Sequence, residues 1–392
     1  MAGASQPAQA STLLNLLALG NFVVGMGAFV VIGVITPIAE GLNVSKADAG
    51  IILTFYAMAY AVLSPVGAAL TGSFSRRTVL TGALTLFCLG SVLSALSWTL
   101  PMLAASRILV AFGAALFTPL AAGLAVAISP PEQRGRALAK VFGGVTLAQV
   151  VGVPLGAWLA YRFGWHSTFW TVAGLSALCA LVLVRAIPSN VQFQATNITA
   201  ILGALRNGRL MFAVTITATI MTAVYIVFTY FGPLIEASAG SNPETRTFYL
   251  VLFGLGAVTG NYIGGYLSDR IGPRNTLLIV CVAQILIMPL FSIMPWNPVL
   301  FAVLVSVWST FAWSFMAPQQ SRLVAIAPHL QALALALNAA MIYVGIAVGS
   351  GISGRLMDWH GMSALGIAGG LAAAVAMVHL LASSWRSSQS SG

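Results

Sequence analysis

The sequence predicts an all-α membrane protein of twelve transmembrane helices, arranged as two pseudo-symmetric six-helix bundles. Of its 392 residues, 59% are hydrophobic and only 6% are charged, against about 25% charged residues in a typical soluble domain. A bilayer core about 30 Å thick needs about 20 apolar residues per helix, so a chain of this length has room for about twelve spans with their loops. The apolar runs lack the period-2 alternation of a membrane β-barrel, and helices are the other structure that satisfies backbone groups in lipid.

Apolar runs and the residues that interrupt them place the predicted spans, which are numbered 1 to 12 along the chain. The first six cover residues 13–37, 47–71, 78–98, 101–128, 137–161 and 166–186. The second six cover residues 209–235, 246–268, 275–294, 297–327, 331–357 and 363–383. The polar stretch at 188–208 predicts a cytoplasmic linker between an N-terminal bundle at 1–187 and a C-terminal bundle at 209–392.

The basic residues predict the orientation. An even number of spans puts both termini on one side, and that side holds Arg76, Arg77, Arg134, Arg136, Lys140, Arg185, Arg206, Arg209, Arg270, Arg274, Arg322 and Arg386. The opposite side holds Lys46, Arg162, Arg246 and Arg355. Because cytoplasmic loops carry the excess of Lys and Arg, we expect a multi-pass protein of the cell (inner) membrane with both termini in the cytoplasm. No Lys or Arg precedes the first apolar run, so we expect span 1 to be retained rather than cleaved as a signal peptide.

Several function classes do not fit this composition. The net charge of +10 is scattered over short segments between apolar runs, so it predicts topology and not nucleic-acid binding. The three cysteines lie inside apolar runs without a CxxC pair, which indicates buried thiols and no metal site. The chain has no GxSxG elbow, HExxH site or phosphate-binding loop, so we expect neither an enzyme nor an ATP-driven pump, and no cofactor.

The two halves contain related segments. LTGSFSRRTVL at 70–80 aligns with LSDRIGPRNTL at 267–277, which pairs Arg77 with Arg274. VGVPLGAWLAYRFGWH at 151–166 parallels VGIAVGSGISGRLMDWH at 344–360. Both matches fall at corresponding places in the two halves, which is the internal repeat typical of alternating-access carriers.

A motif between spans 8 and 9 resembles the signature of the major facilitator superfamily. The residues that fit its G-x-L-x-D-R-x-G-x-R pattern include Gly265, Asp269, Arg270, Gly272 and Arg274. The resemblance covers essentially the whole chain and implies two six-helix halves around a central cavity lined by spans 1, 4, 7 and 10. The first-half copy keeps Arg76 and Arg77 but departs from the pattern where Gly72 replaces the acid.

Span 5 resembles the antiporter motif of the drug:proton antiporter branch, particularly the arabinose or sugar and purine-nucleoside efflux permeases. The residues that carry this likeness are Gly144, Gly152, Pro154 and Gly156. In this chain the usual Gly-Pro pair is split by Val153. These glycines have two alternative roles. They either allow close helix packing, or they form a dry seam between spans 5 and 11 on which the halves rock.

Two charged features carry gating and substrate hypotheses. The resemblance implies that Asp269 meets the start of span 5 near Arg136 and clamps the halves on the cytoplasmic side; the alternative is a solvated carboxylate paired with Arg270 or Arg274. Arg107 is the one basic residue well inside a span, where a charge costs at least ~2.5–3.5 kcal/mol. It either attracts an anionic group or influences a proton site, or it snorkels to the outer interface.

Polar and aromatic residues in the spans expected to line the cavity are candidate substrate contacts. They are Asn21, Arg107, Gln149, Tyr225, Thr229, Tyr230, Asn261, Trp313, Gln319, Gln320 and Asn338. Neutral hydrogen-bonding groups beside aromatic faces suit a neutral, hydroxylated or heteroaromatic ligand. The alternative for each is hydrogen bonding or ring packing between helices.

These features together predict a monomeric exporter of a sugar-like, nucleoside-like or drug-like molecule, working by alternating access in exchange for protons. No Asp or Glu lies deep in a predicted span. Proton coupling therefore uses Glu236 or a histidine, or transport proceeds without protons. The alternatives are an importer on the same fold and, from another class, a non-transporting membrane sensor.

Overall fold

Twelve helical segments of the described chain are long and apolar enough to cross a membrane, which confirms the predicted number of spans. The computed structural model describes residues 5–71, 74–130, 133–187, 203, 205–240, 242–293 and 295–388. Within these residues all regular structure is helical. Most of the predicted linker, residues 188–202 and 204, lies outside the described residues.

The helices of spans 1 to 6 follow the predicted order. Their bounds are Ser5–Phe29 and Val31–Leu42 for span 1, Lys46–Leu70 for span 2, Arg76–Ala95 for span 3, Leu100–Ala127 for span 4, Arg134–Leu147 and Val153–Phe163 for span 5, and Trp165–Ala186 for span 6. Ser75 and Thr99 cap spans 3 and 4 by accepting from backbone amides of the first turn, which satisfies donors that a helix start leaves unpaired.

Spans 7 to 12 have the same organisation. Their bounds are Gly208–Phe228 and Phe231–Ala239 for span 7, Pro243–Ile271 for span 8, Pro273–Ile287 with a 3₁₀ turn at Met288–Ser292 for span 9, Pro298–Trp313 and Met316–Ile326 for span 10, Gln331–His360 for span 11, and Ser363–Ser388 for span 12. Side chains of Asn207, Asn242 and Asn297 cap spans 7, 8 and 10. Gly164 and Gly361, both with positive φ, form the equivalent turns after spans 5 and 11.

Breaks inside spans are the main departure from the predicted continuous helices. Pro233 follows the break in span 7 at Thr229 by four residues, and Pro318 follows the break in span 10 at Ser314 by four. A proline cannot donate to the carbonyl four residues before it and clashes with that group. Pro154 has the same relation to the π-helical turn at Ala148–Gly152 in span 5.

The chain folds into two compact units that differ from the halves of the sequence in one respect. Unit 1 comprises Met1–Leu42 and Ala59–Thr196, and unit 2 comprises Asn43–Met58 and Asn197–Gly392. The first part of span 2 therefore packs within unit 2, although the chain on both sides of it belongs to unit 1. We call Asn43–Met58 the docked segment.

The glycines of the span 5 motif form the contact between spans 5 and 1 inside unit 1. A Cβ on Gly144 would lie 2.0 Å from the carbonyl oxygen of Ala18, and one on Gly156 would lie 2.2 Å from Val30. Gly152 similarly faces Met26. These glycines therefore permit close packing of spans 1 and 5 within unit 1.

The corresponding glycines of span 11 make the equivalent contact in unit 2. Gly345 and Gly349 face the backbone of span 7, where an added Cβ would lie 2.5 Å from Ala218 O and 2.6 Å from Thr222 O. Spans 11 and 7 thus approach each other closely at these glycines within unit 2. The seam between spans 5 and 11 that the sequence suggested stays a prediction.

Candidate functional site

Asn21 in span 1 is used for contacts among helices of unit 1. Its Nδ2 donates to the carbonyl of Val141 in span 5 over 3.1 Å, and its Oδ1 accepts from Thr118 in span 4 over 2.9 Å. The residue is fully buried. Both ends of its amide are therefore satisfied by spans 4 and 5.

Arg107 is fully buried and contacts other residues of unit 1. Its guanidinium is fully buried, and Nη2 donates to the carbonyl of Gly27 over 2.6 Å. Gly27 belongs to the last turn of the helix that ends at Phe29, where carbonyl groups lack helical partners and the helix dipole favours a cation. The ring of Phe169 lies 5.7 Å from the guanidinium carbon. Arg107 thus stabilises the break in span 1.

Gln149 occupies the π-helical turn of span 5 that precedes Pro154. It is 7% exposed, and its Oε1 has no hydrogen-bond partner among the residues that the structure describes. Turns of this kind are frequent at functional sites. The Oε1 atom of Gln149 is therefore available to accept a hydrogen bond from a ligand bound in unit 1.

Several predicted contacts in unit 2 are also used within the protein. Thr229 donates to Tyr225 O over 2.6 Å, and Thr217 donates to the buried side chain of Asn338. Gln319 donates to Ala213 O over 2.8 Å. Asn261 is half-buried and Gln320 is exposed.

Three tyrosines of unit 2 lie near the middle of their spans, and we call them the tyrosine cluster: Tyr56 of span 2, Tyr225 of span 7 and Tyr343 of span 11. The rings of Tyr56 and Tyr343 are 6.2 Å apart. Tyr225 lies near Tyr56 and packs on span 11, where a Cβ on Gly349 would lie 3.0 Å from the Tyr225 Cβ. Tyr225 is fully buried, yet its Oη has no hydrogen-bond partner in the described part of the chain. A buried hydroxyl without a partner carries a desolvation cost of about 1–3 kcal/mol.

Unit 2 also contains a cleft, whose lining residues do not include the three tyrosines. The cleft has a volume of about 430 Å³ and is formed by the docked segment and span 11. Thr54 and Ser350 lie in its wall and share a 2.8 Å hydrogen bond. Asp48, Arg355 and Asp358 line its charged end. Binding pockets for small organic molecules commonly have volumes in this range.

Three charged residues join spans 2, 7 and 8 within unit 2, and we call them the charged latch. Nζ of Lys46 lies 2.7 Å from Oε2 of Glu236, and Nη2 of Arg246 lies 2.7 Å from Oε1 of the same carboxylate. The side chain of Arg246 is 1% exposed, that of Glu236 12% and that of Lys46 34%. Arg246 and Glu236 thus form the buried part of the latch, and Lys46 is its accessible end.

Tyr230, at the break in span 7, holds the same end of the docked segment. Its Oη donates to Ala47 O over 3.0 Å. A Cβ on Gly50 would lie 2.3 Å from the Tyr230 hydroxyl oxygen, and one on Gly354 would lie 3.4 Å from it. The phenol therefore fits between spans 2 and 11 at two glycines. The break at Thr229 and Tyr230 points this side chain at the docked segment.

The residues of the signature motif lie at the ends of their helices. Span 8 ends at Ile271, Gly272 has a φ of 84°, and span 9 begins at Pro273. Asp269, Arg270 and Arg274 are exposed, and so is Arg136 at the start of span 5. The guanidinium carbon of Arg270 lies 4.7 Å from the ring centre of Tyr266. Arg76 is buried and Arg77 half-buried at the start of span 3, while Gly72 lies outside the described residues.

Sequence reasoning did not identify Tyr56, Tyr343 or the charged latch. Its candidates came from spans 1, 4, 7 and 10, with single residues of spans 5, 8 and 11. A tyrosine in the middle of each of the apolar spans 2 and 11 was the available signal. The latch joins residues 190 positions apart in the chain, and only the packing of three helices brings them together.

Twelve apolar spans in two units define a polytopic helical membrane protein. The sequence matches the Major Facilitator Superfamily over residues 17–350. The chain belongs to this superfamily, which confirms the resemblance drawn from Asp269 and its neighbours, and it is a transporter and not an enzyme.

Relatives agree with this assignment. An uncharacterized MFS-type transporter of Bacillus subtilis (strain 168), YbcL, is 29% identical over 365 residues, 93% of this chain and 94% of that one. A bacterial homolog of the human lysosomal transporter Spinster, in an inward-facing and occupied conformation, has a TM-score of 0.79 at 17% identity over 95% of this chain and 96% of that chain. Its inward-facing and unoccupied conformation has a TM-score of 0.71 at 17% identity, with 96% and 95% covered. These structures share the fold.

Proposed function

We propose that this protein exports a small neutral molecule with hydroxyl or heteroaromatic groups by alternating access, in exchange for protons. Two observations in unit 2 carry the proposal: the tyrosine cluster, and the 430 Å³ cleft that the docked segment and span 11 form. Carriers of this kind bind substrate near the bilayer midplane. Tyr225 lies in the middle of span 7, which runs from Gly208 to Ala239.

The chemistry of the cluster favours a neutral ligand. Tyr225 offers a buried hydroxyl that can donate and accept, and Tyr56 and Tyr343 offer ring faces nearby. Trp313 of span 10, in the same unit, has a buried indole N–H without a hydrogen-bond partner among the described residues. A strongly charged ligand would need a countercharge, and the charged residues of the cleft lie at its Asp48 end. The groups therefore suit a sugar, a nucleoside or an uncharged drug-like molecule.

The docked segment supplies an element that alternating access can use. Asn43–Met58 packs in unit 2 but is continuous in the chain with unit 1 at both ends. It is held by the charged latch, by Tyr230 and by the bond between Thr54 and Ser350. We propose that release of these contacts opens the side that Lys46 faces, which the distribution of basic residues predicts to be the outside.

Proton exchange is proposed to act through Glu236. A proton on this carboxylate removes the negative charge that both Lys46 and Arg246 bind. Lys46 then loses its ion pair and the docked segment loses one attachment. Protonation would thereby be linked to opening, as exchange of one proton for one substrate requires.

The outward direction rests on the likeness of Gly144, Gly152, Pro154 and Gly156 to the antiporter motif. An importer on the same fold is the competing function. We also propose that the protein is a monomer in the cell membrane, with both termini in the cytoplasm.

Efflux from cells tests direction and substrate class together. Cells that make the protein are loaded with a panel of labelled sugars, nucleosides and lipophilic cations, and retention is compared with cells that make Tyr225→Phe. The proposal expects faster loss of one neutral compound, with the gain reduced by the substitution. Accumulation of the compound instead would establish the importer. A preference for the lipophilic cations would contradict the proposed ligand class.

A further inference from the structure

Arg322 is a buried cation near the end of span 10 in unit 2. Its residue is 9% exposed, and its Nη2 donates to Oγ of Ser383 in span 12 over 2.6 Å. Nη1 is buried too and has no hydrogen-bond partner among the residues that the structure describes. One arm of the guanidinium fork is therefore used and the other is not. A buried ionised group without full hydrogen bonding is costly.

The neighbours of Arg322 do not neutralise it. Arg274, at the start of span 9, is close enough for its positive charge to act on Arg322, and Arg322 acts in turn on His379 of span 12. His379 is occupied by Phe212 O at 3.0 Å and Thr219 Oγ1 at 3.4 Å. The ion pairs of Glu236 with Lys46 and Arg246 lie near the other end of span 7 and do not involve Arg322. The local charge is therefore positive.

All of these groups lie at one end of unit 2. Arg274 is the second residue of the helix that begins at Pro273, Arg322 is four residues before the end of span 10 at Ile326, and Ser383 is the last residue of the apolar part of span 12. Basic-residue counting predicts this end to be cytoplasmic. Residues at the end of an apolar span lie at the depth of the lipid headgroups.

We propose that Arg322, with Arg274 and Ser383, forms a binding site for a phosphate-type anion at this end of unit 2. The planar guanidinium fork matches the oxygens of a phosphate, with Nη1 as the free donor. The Ser383 oxygen accepts from Arg322 Nη2, and its own O–H is the second donor. The anion is either the headgroup of an anionic lipid in the adjacent leaflet or a soluble phosphate. This site is separate from the tyrosine cluster and does not depend on the proposed transport reaction.

Thermal unfolding of the purified full-length protein in a neutral detergent tests the site. Phosphatidylglycerol, phosphatidylcholine and inorganic phosphate are the probes. Arg322→Gln is compared with Arg185→Gln, which removes an exposed arginine of unit 1 near the end of span 6. We expect phosphatidylglycerol to raise the unfolding midpoint of the unchanged protein and of Arg185→Gln, and this rise to be lost in Arg322→Gln.

The two sources of the anion give different results. A rise with phosphatidylglycerol but not with inorganic phosphate assigns the site to a lipid headgroup, and a rise that depends on Arg322 with inorganic phosphate alone assigns it to a soluble anion. An equal rise in Arg322→Gln and Arg185→Gln, no rise in the unchanged protein, or an equal effect of phosphatidylcholine would overturn the proposal.

A second variant covers the case in which Arg322→Gln does not fold. Arg322→Lys keeps the positive charge but loses the fork, so we expect apparent affinity for phosphatidylglycerol to fall on the order of tenfold. An unchanged affinity in Arg322→Lys would contradict recognition by the guanidinium.

Discussion

Nζ of Lys46 lies 2.7 Å from Oε2 of Glu236, which attaches the start of span 2 to the end of span 7. Arg246 binds the other oxygen of the same carboxylate and is itself buried. The two cations differ in exposure, so their contributions differ.

Glu236→Gln should lower the thermal unfolding midpoint far more than Lys46→Gln. The first change removes the countercharge of buried Arg246, and breaking a buried ion pair costs about 3–5 kcal/mol. The second removes a pair whose lysine is one-third exposed, where about 0–1 kcal/mol is usual. An equal decrease of the unfolding midpoint in the two variants would show that the pair of Glu236 with Arg246 does not contribute more to stability than the pair with Lys46.

Release of the docked segment should be visible by cysteine labelling. Ala49 lies in this segment and is fully buried, so Ala49→Cys in a background without Cys88, Cys179 and Cys281 should react slowly with a membrane-impermeant maleimide. Adding Lys46→Gln or Glu236→Gln should increase the labelling rate. If neither substitution changed the labelling rate, the charged latch would have no role in the release of the docked segment.

Tyr225→Phe and Tyr249→Phe should have opposite effects. Tyr225 Oη has no hydrogen-bond partner in the described chain, so its removal should relieve the desolvation cost of about 1–3 kcal/mol and raise stability, but it should also raise KM for transport. Tyr249 Oη donates to Pro298 O over 2.8 Å, so its removal should lower stability by about 1 kcal/mol and leave KM unchanged. An unchanged KM in Tyr225→Phe would remove Tyr225 from the substrate site.

Gly144→Ala and Gly143→Ala form a matched pair in span 5. A Cβ on Gly144 would lie 2.0 Å from Ala18 O, whereas a Cβ on Gly143 would meet nothing within 4 Å. Gly144→Ala should therefore force spans 1 and 5 apart and destabilise by about 1–3 kcal/mol. Gly143→Ala should stabilise by about 0.5–1 kcal/mol through helix propensity. Thermal unfolding of both proteins distinguishes contact from propensity, and equal shifts would contradict the packing role.

Arg107→Lys should lower stability although it keeps the charge. The guanidinium reaches Gly27 O at the end of the first helix of span 1, and a charge-assisted hydrogen bond of this kind contributes about 1.5–3 kcal/mol. A lysine has one compact charged group in place of the fork. An unfolding midpoint equal to that of the unchanged protein would show that the break in span 1 does not depend on this contact.

Hydropathy was enough to predict the twelve spans, because an apolar run of sufficient length in a chain with 6% charged residues has few other structures open to it. The breaks at Thr229 and Ser314 were also within reach, since Pro233 and Pro318 stand four residues further on. Asn21 and Asn338 were predicted as ligand contacts but bond to neighbouring helices. Composition cannot distinguish these roles, because both place a polar side chain inside a bundle.

The site in unit 2 was harder to predict for a physical reason. Tyr56 and Tyr343 are distant in sequence and meet only because the docked segment packs against span 11. The latch requires the same packing. Local patterns determine where helices begin and end, whereas these contacts depend on which helix faces meet.

Solute flux in proteoliposomes under an imposed pH gradient tests the central claim most directly. The purified protein is reconstituted, the lumen is made acidic relative to the bath, and entry of the neutral compound identified by the efflux panel is measured. Exchange for protons predicts that the compound accumulates in the acidic lumen, and that Glu236→Gln loses this response to the gradient. Entry that is unaffected by the gradient, or accumulation only when the bath is the more acidic side, would contradict proton antiport.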